Sequence, residues 1–320
     1  MDSSPKKGFA PQGAAGKPSA PRRATLMASG ASLLLIAVKL GVGLSTGTVA
    51  VLASAVDSLL DFLVSSFNAY AVRSTERPSD EVYNYGRGKM EGVAALLEGL
   101  FILASALYIL REAVFQFGEP MRIEAGRLQW AMGAMAFSMI VTALLVGYLK
   151  RMAKESRSLI IEADTLHYQM DLITNGSVLL ALVLIRFTGW DWLDPAIAIV
   201  ISLVVARAAM PLLRKGLNML LDRALDESLV QQIRSITASH SGKVTGVHEV
   251  KTRRSGDTNF VEFHLVFDED IKLREAHHIA DEIEMRIRKL DKARWIINIH
   301  LDPVDDSHRD HKLANLDFEE

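Results

Sequence analysis

The chain has 320 residues, 49% of them hydrophobic, and its mean hydropathy is positive, which indicates a membrane portion joined to a soluble portion. The formal net charge of -2 and the lack of a basic patch interleaved with aromatic residues argue against nucleic acid as a partner. Cysteine is absent, so disulfides and thiolate metal sites are excluded and His, Asp and Glu remain as the strong metal ligands.

The first 24 residues are rich in Pro, Gly, Ala and Ser, with scattered Lys and Arg. This composition predicts a disordered cytoplasmic tail. A secretory signal is the alternative, but the apolar stretch that follows is too long for one, and further apolar segments come after it.

Six apolar segments then follow, each long enough to span a bilayer, which takes about 20 residues. We therefore predict an α-helical membrane protein with six transmembrane helices in a domain at residues 25–215. The predicted helices lie at residues 25–44, 49–72, 93–115, 128–149, 159–187 and 195–213.

The basic residues predict the orientation of these helices. Loops on one side carry most of the Lys and Arg, and the positive-inside rule therefore places both termini in the cytoplasm of an inner-membrane protein. The other side carries few basic residues, and its predicted helix ends carry aromatic residues, as an interfacial belt would: Arg122, Arg127 and Arg186, with Trp130, Trp190 and Trp192.

The character of the chain changes after the sixth segment. Residues 216–304 alternate between helical and strand-like patterns, and the order αββαβ predicts a small cytoplasmic α+β domain. Residues 254–257 are the predicted turn between the first two strands. The charged residues 305–320 are predicted to be a disordered tail.

Two membrane segments carry paired ionisable residues. Asp57 and Asp61 are four residues apart in the second segment, and His167 and Asp171 repeat that spacing in the fifth. Because residues i and i+4 share one face of a helix, two adjacent helices would bring three carboxylates and one imidazole together. Such a set suits a tetrahedral divalent metal such as zinc. Ionisable groups in hydrocarbon are costly and usually mark an ion or proton pathway, which predicts metal transport.

The alternative for these residues is a structural role, in which buried carboxylates pair with a cation such as Lys39 of the first segment. Two i,i+4 pairs on separate helices are hard to explain by packing alone. Three carboxylates around one divalent ion also make protons and metal compete for the same site, which antiport requires. Glu162 and Asp164, near the start of the fifth segment, are predicted to lie at the cytoplasmic mouth.

The soluble part carries a second group of potential ligands. His248, His264 and His300 lie in or beside three different predicted strands, and Asp302 follows two residues after the last of them. A single strand histidine is most often structural, but three of them with a carboxylate could converge on one or two metal ions. His240, His308 and His311 are predicted to be bystanders.

The loop at residues 77–92 carries Gly86 and Gly88, but no strand precedes them, so a phosphate-binding loop is not indicated. No nucleotide site or covalent catalysis is expected, so the chain is predicted not to be an enzyme and to need no organic cofactor.

Several motifs together resemble the cation diffusion facilitator family, in its bacterial zinc and ferrous-iron efflux branch. The similarity covers about residues 25–304, and its most specific motifs are ASAVDSLLDFL, DTLHYQMD, YGRGKME, GVHEVKTRRSG and INIHLDP. The resemblance implies a homodimer that exports a divalent metal in exchange for protons. It also implies a transport site at Asp57, Asp61, His167 and Asp171.

The resemblance further implies metal binding by the cytoplasmic domain and a salt bridge that stabilises the dimer near the membrane surface. The bridge would join Lys89 and Asp222. The metal ligands would be His248, His264, His277, His300 and Asp302, with Asp302 suited to bridging two ions.

One departure from the family pattern concerns the loop between the second and third helices. The zinc branch has an Asp and two His there, whereas this chain has Asp80, Tyr83 and Arg87. A phenol and a guanidinium do not make a zinc site, so this third site is expected to be absent or much weakened.

The predicted function is export of Zn2+, with Cd2+ or Fe2+ as further substrates, and Zn2+ also as a structural or regulatory ligand. A transporter tuned to Fe2+ or Mn2+ is one alternative, although the imidazole of His167 favours zinc over harder ions. A metal sensor or scaffold that transports nothing is the other.

Overall fold

The computed structural model describes residues 19–46, 49–115, 128–190, 192–240 and 242–303. The chain divides into two compact units, with the division between Leu217 and Asn218. Residues 1–18 of the predicted N-terminal tail (residues 1–24) and the whole predicted C-terminal tail (residues 305–320) lie outside the described residues.

The first unit consists of long helices. They are α1 Ala20–Thr46, α2 Val49–Thr75, α3 Met90–Phe115, α4 Leu128–Ser156, α5 Leu159–Thr188 and α6 Leu193–Leu220, whose last residues pass the division. Five of them are long and apolar enough to cross a membrane within the described residues. The remaining one, α2, is 27 residues long, which is enough to span a bilayer, and it carries Asp57 and Asp61.

Helix α1 begins earlier than the sequence predicts. The backbone N–H of Arg22 donates to Ser19 Oγ over 3.2 Å, and Pro21 occupies the first turn, where its missing N–H costs nothing. Residues 20–24 therefore belong to the helix and not to a disordered tail, because Ser19 and Pro21 form a helix start that the Pro- and Ala-rich composition conceals.

The start of α5 is fixed by a residue of another helix. Glu91 of α3 is buried, and its carboxylate accepts hydrogen bonds from Ser158 Oγ over 2.9 Å and from the backbone N–H of Leu159 over 3.1 Å. These two donors would otherwise stay unsatisfied at the helix N-terminus. The contact sets the position of α5 against α3 and so helps to orient the face that carries His167.

Glycine allows α6 to approach α3 closely. A Cβ atom at Gly216 would lie 3.0 Å from the backbone carbonyl oxygen of Gly92 and 3.0 Å from the backbone nitrogen of Leu96. Small residues at helix contacts are typical of membrane proteins, where close packing replaces the hydrophobic effect as the source of helix association.

The second unit is a small α+β domain with the predicted αββαβ order. Its elements are α7 Glu227–Ala238, β1 Val244–Ser255, β2 Thr258–Phe267, α8 Leu273–Ile287 and β3 Arg294–Asp302. Strand β2 lies at the centre, antiparallel to β1 and parallel to β3. The parallel pair needs a crossover connection, which α8 provides.

A hydrophobic core holds the described part of this unit together. Apolar residues of α7 and α8 pack on one face of the sheet, with Phe263, Leu265 and Ile283 almost fully buried. The β1–β2 turn needs only Gly256 and Asp257, and Gly256 has a φ of 60°, which glycine adopts without strain. The strands are therefore longer than predicted at this end.

Candidate metal centres

Helices α2 and α5 bring three predicted ligands together. His167 Nε2 lies 3.1 Å from Asp61 Oδ1 and 3.3 Å from Asp171 Oδ2. Ligand atoms bound to one tetrahedral zinc ion at about 2.0–2.1 Å lie roughly 3.3 Å apart, so these spacings fit a shared ion. We call Asp61, His167 and Asp171 the intramembrane cluster.

Asp57 lies beside this cluster. One cavity of about 560 Å³ is lined by Asp57 as well as by all three residues of the intramembrane cluster. Asp57 itself is exposed, and it is not part of the group whose ligand atoms lie within 4.8 Å of one another. The structure thus brings three of the four predicted ligands together and leaves the fourth on the wall of the same cavity.

Lys39 of α1 also lines this cavity, but its hydrogen bonds run to residues without charge. The ammonium donates to Ser58 Oγ over 2.8 Å and to the backbone carbonyl of Ser54 over 3.2 Å. It therefore contributes positive charge to the cavity without occupying the carboxylate oxygens of the cluster by a direct hydrogen bond.

Aromatic rings hold the imidazole of His167 in place. Its ring centroid lies 5.6 Å from that of Phe101 and 5.3 Å from that of Tyr168, which meets it edge-on. The Tyr168 hydroxyl is in turn hydrogen-bonded to Ser32 and Ser65, at 2.6 and 2.8 Å. These contacts fix the orientation of the imidazole, which is what a candidate metal ligand needs.

Glu162 and Asp164 were both predicted to lie at the cytoplasmic mouth. Glu162 is accessible, as that prediction requires, but Asp164 is not, so the prediction for Asp164 is wrong. Glu162 is half-exposed and pairs with Lys215 over 2.5 Å. Asp164 is fully buried, and its Oδ1 accepts a hydrogen bond from Asn68 Nδ2 over 3.2 Å. Residues i and i+2 of a helix point to different sides, so the carboxylates of Glu162 and Asp164 lie in different environments.

Asn68 and Glu98 are polar residues of the membrane unit that the sequence reasoning missed. Asn68 also donates to Glu98 Oε2 over 2.9 Å, so its amide links Glu98 of α3 to Asp164 of α5. A glutamate within the apolar third segment was the signal available in the sequence. Asn68, Glu98 and Asp164 are called the buried carboxylate network below.

The second candidate centre lies on the sheet of the α+β unit. Strand register places His248 opposite His264 and His264 opposite His300, so the three imidazoles form one row across the sheet. Asp302 lies on the same face as His300, because residues i and i+2 of a strand point the same way. We call His248, His264, His300 and Asp302 the sheet cluster.

The carboxylate of Asp302 is the centre of this cluster. Its Oδ2 lies 2.9 Å from His264 Nδ1 and 3.2 Å from His248 Nε2, and its Oδ1 lies 3.2 Å from His300 Nε2. Both oxygens thus face imidazole nitrogens, which is the arrangement that a bridging carboxylate needs. Histidine nitrogen and carboxylate oxygen suit zinc. The ligand atoms of His248, His264 and Asp302 lie within 4.8 Å of one another, whereas His300 is not part of that group and contacts the other oxygen of Asp302.

His277 is not among the residues that the structure brings to the sheet cluster. It lies on α8, is largely exposed, and its Nε2 is 3.6 Å from Asp281 Oδ2, one turn further along the same helix. Its predicted role as a metal ligand came from the resemblance alone, and the described contacts give it a local partner instead.

The loop that departs from the family pattern is held by its own side chains. Arg87 Nη2 donates to Asp80 Oδ2 over 2.5 Å, and the guanidinium lies 4.2 Å from the centre of the Tyr83 ring. The other oxygen of Asp80 accepts the backbone N–H of Tyr83 and of Val82, over 2.7 and 3.1 Å. The backbone hydrogen bond from Tyr83, followed by that from Arg87, lowers the pKa of Asp80 below its usual value.

The predicted pairing of Lys89 with Asp222 would join the two units, and it stays a prediction. Within the second unit, Asp222 Oδ1 lies 3.5 Å from Arg253 Nη1.

Comparison with known proteins agrees with this organisation. Residues 25–221 match the model of the cation efflux transmembrane domain, and residues 225–304 match that of the cation efflux protein, cytoplasmic domain. A cation-efflux pump FieF of Shewanella oneidensis is 37% identical over 273 residues, which cover 85% of this chain and 90% of the pump. The corresponding pump of Pectobacterium atrosepticum is 36% identical and covers 88% of this chain and 92% of its own length.

Among solved structures, one titled as the mode of action of a putative zinc transporter CzrB, in its zinc form, is 33% identical. The match covers 28% of this chain and 98% of that chain, with a TM-score of 0.25. The family models cover both units, and the two pumps match nearly the whole chain. The protein is a multi-pass membrane transporter that belongs to the cation efflux family, also called the cation diffusion facilitators.

Proposed function

We propose that this protein is a homodimeric antiporter that exports Zn2+ from the cytoplasm across the inner membrane in exchange for protons. Both termini lie in the cytoplasm, and Cd2+ or Fe2+ are further substrates. The observation that carries the proposal is the intramembrane cluster, whose nitrogen and oxygen atoms are spaced as ligands of a single divalent ion.

The transport site comprises the intramembrane cluster and Asp57. Asp57 lines the same cavity. Binding of an ion by all four residues would require α2 to rotate or shift relative to α5. The single imidazole favours Zn2+ over harder ions, which prefer sites built only from oxygen. The sets of ligands in the two units are of the same kind, which suits one metal acting as both substrate and regulator.

Exchange with protons follows from the charge of this site. Three carboxylates and an imidazole bind protons when no metal is present, and a divalent ion displaces them because both need the same lone pairs. Alternating exposure of such a site to the two sides of the membrane would couple metal export to proton entry. No nucleotide is required, since the proton gradient supplies the energy.

The sheet cluster is proposed to bind Zn2+ as a regulatory ligand, with Asp302 bridging its imidazoles. Lys89 and Asp222 are proposed to form a salt bridge that stabilises the dimer near the membrane surface. The family match of residues 225–304 supports association through this part of the chain.

A flux measurement in proteoliposomes tests the proposal. Vesicles with an acidic interior should take up Zn2+ faster than vesicles without a pH gradient, and uptake should raise the luminal pH. Preferential uptake of Fe2+ or Mn2+ would favour a transporter tuned to those ions. No flux of any of the three ions, with Zn2+ still bound by the protein, would favour a sensor or scaffold.

A further inference from the structure

The buried carboxylate network has no role in the proposed transport site. Asn68 and Asp164 are fully buried, and only 2% of the surface of Glu98 is accessible to solvent. The three residues come from α2, α5 and α3, so the network joins three helices. The cavity that holds the intramembrane cluster is not lined by any of the three.

The hydrogen bonds of this network leave it short of donors. The Asn68 amide donates one N–H to Glu98 Oε2 and one to Asp164 Oδ1, and both of its donors are then used. Ser65 Oγ adds one longer contact, of 3.4 Å, to the same Asp164 oxygen. Three acceptors, Asn68 Oδ1, Glu98 Oε1 and Asp164 Oδ2, are buried without a hydrogen-bond partner among the described residues.

Buried acceptors without a donor are costly, and a buried carboxylate without a compensating charge is more so. Two basic side chains of this part of the membrane unit face other groups. His167 lies close to Asp61 and Asp171, and Lys39 donates to Ser58 and to the backbone of Ser54. Among the described residues, neither forms an ion pair with Glu98 or Asp164.

We infer that Glu98 and Asp164 share one proton and form a second proton-binding site beside the transport cavity. A proton on Glu98 Oε1 or Asp164 Oδ2 turns one unpartnered acceptor into a donor. It also removes one of the two negative charges. The same proton therefore lessens both the shortage of donors and the buried negative charge, and Asn68 holds the two carboxyl groups in place.

A proton fits this site better than a metal ion does. The amide nitrogen of Asn68 already stands between the carboxylates and presents N–H groups to both, where a metal ion would need lone pairs. The network also lies outside the cavity lining, so the structure provides no space of the kind that holds the intramembrane cluster. A proton needs no such space.

The groups that face the network come from each helix packed around it. Helix α2 presents Asp61 and the hydroxyl of Ser65, α5 presents His167, Tyr168 and Asp171, and α1 presents Lys39 across the cavity. Lys215 of α6 is half-exposed and occupied by Glu162. Asp164 and His167 are three residues apart, which places them on neighbouring turns of one helix face.

This proximity links the second site to transport, and that part of the inference rests on the proposed function. A divalent ion held by His167 repels a proton on the adjacent network, because both are positive and the medium between them is poorly polarisable. The shared proton is then released to water as the metal binds. One carboxyl O–H bond breaks and the carboxylate keeps the electron pair. The network thereby adds to the protons exchanged for each metal.

Infrared spectroscopy of the purified, full-length protein tests the site without any transport. We expect the wild type at neutral pH to show the C=O stretch of a buried carboxylic acid. Glu98→Gln should weaken or shift that band, because its amide can donate to the same acceptors without a proton. Any band that remains would come from the carboxyl groups of the transport site. The matched control Glu162→Gln, an exposed residue in the same membrane unit, should leave the band unchanged. Asp164→Asn gives a second test if Glu98→Gln folds poorly.

A band that keeps its intensity and frequency in both Glu98→Gln and Asp164→Asn would overturn the inference. So would the loss of one bound Zn2+ per protomer in Glu98→Gln, measured by equilibrium dialysis, because the network would then hold metal. With a pH indicator, Glu98→Gln should release about one proton fewer per Zn2+ bound than the wild type. If vesicles show no metal–proton exchange but the band behaves as expected, the proposed function fails and the proton site stands.

Discussion

Asp61 and His167 face each other across the contact between α2 and α5, with 3.1 Å between Asp61 Oδ1 and His167 Nε2. The same imidazole nitrogen lies 3.3 Å from Asp171 on its own helix. Nε2 of His167 therefore lies close to two carboxylates when no metal is present. In the proposed metal-bound state all three side chains would turn their lone pairs to the ion. The proposed metal binding and the α2–α5 contact would then depend on the same atoms.

Replacing Asp61 or His167 with Ala should abolish transport. Each change removes one ligand from a site where three lie within 4.8 Å of one another, and neither residue caps a helix. Zn2+ uptake into proteoliposomes should fall by at least about tenfold, equivalent to ~1.4 kcal/mol. Membrane insertion and dimer formation should remain, as judged by gel filtration of the detergent-solubilised protein.

Glu162→Ala is the matched control, because this carboxylate lies on the same helix but is half-exposed and paired with Lys215. It should retain most of the wild-type flux. Wild-type uptake by Asp61→Ala or His167→Ala would show that the transport site lies elsewhere.

His167→Asp should shift the preference of the transporter from Zn2+ towards Mn2+. The change replaces the only nitrogen ligand of the site with oxygen and adds a negative charge, and both favour harder ions. A competition assay with both metals in one vesicle preparation measures the ratio. His167→Asn serves as the control, since it supplies oxygen without the charge. An unchanged Zn2+ to Mn2+ ratio in both variants would place selectivity outside this residue.

The sequence was sufficient to predict the intramembrane cluster because helical periodicity alone puts residues i and i+4 on one face. It could not predict how Asp57 and Asp61 would differ. Both lie on that face, and only the rotation of α2 against α5 decides which carboxylate reaches His167. Helix rotation is set by contacts such as that of Glu91 with the start of α5, which no local pattern reveals.

The buried carboxylate network shows a second limit of the same kind. Asn68, Glu98 and Asp164 come from three helices and have no shared spacing, so only their packing brings them together. In the α+β unit, by contrast, alternation along the strands was enough to predict the sheet. The row of His248, His264 and His300 then depended on register, which a bulge after His248 adjusts.

The α+β unit, expressed alone from about residue 221, should fold, dimerise and be stabilised by Zn2+. Its core lies within α7, α8 and the sheet. Zn2+ at about 100 times its Kd should add ~2.7 kcal/mol, and for a domain of this size the Tm should rise on the order of 10 °C. Calorimetry with and without metal measures the shift.

Substitutions in this unit separate the sheet cluster from its surroundings. Asp302→Ala or His264→Ala should remove most of the zinc-dependent rise in Tm, because Asp302 contacts all three imidazoles of the row. His240→Ala is the control, since His240 is a predicted bystander and its Nε2 lies 3.5 Å from Glu282 Oε2. If Zn2+ does not raise the Tm of the wild-type domain, these histidines have only a structural role.

The loop that carries Asp80 should bind no metal of its own. One of its carboxylate oxygens accepts Arg87 and the other accepts two backbone N–H groups, so a metal would have to displace hydrogen bonds on both sides. These bonds lower the pKa of Asp80, so its ionised carboxylate stabilises the folded loop at any pH above the ordinary pKa of an aspartate. That stabilisation is lost only as the pH falls through the lowered value. Near neutral pH the loop therefore keeps Arg87 in place, and its fixed positive charge repels a divalent ion.

Asp80→Ala should accordingly leave the number of bound Zn2+ ions per protomer unchanged in elemental analysis of the purified dimer. Tyr83→His combined with Arg87→His should add one ion, because two imidazoles then join the carboxylate and three ligands are the usual minimum for a tight site. The same double change with Asp80→Ala should lose that additional ion, which assigns it to the loop. A metal count that falls on Asp80→Ala alone would mean that a neighbouring residue, such as Glu81, completes a site in the natural sequence.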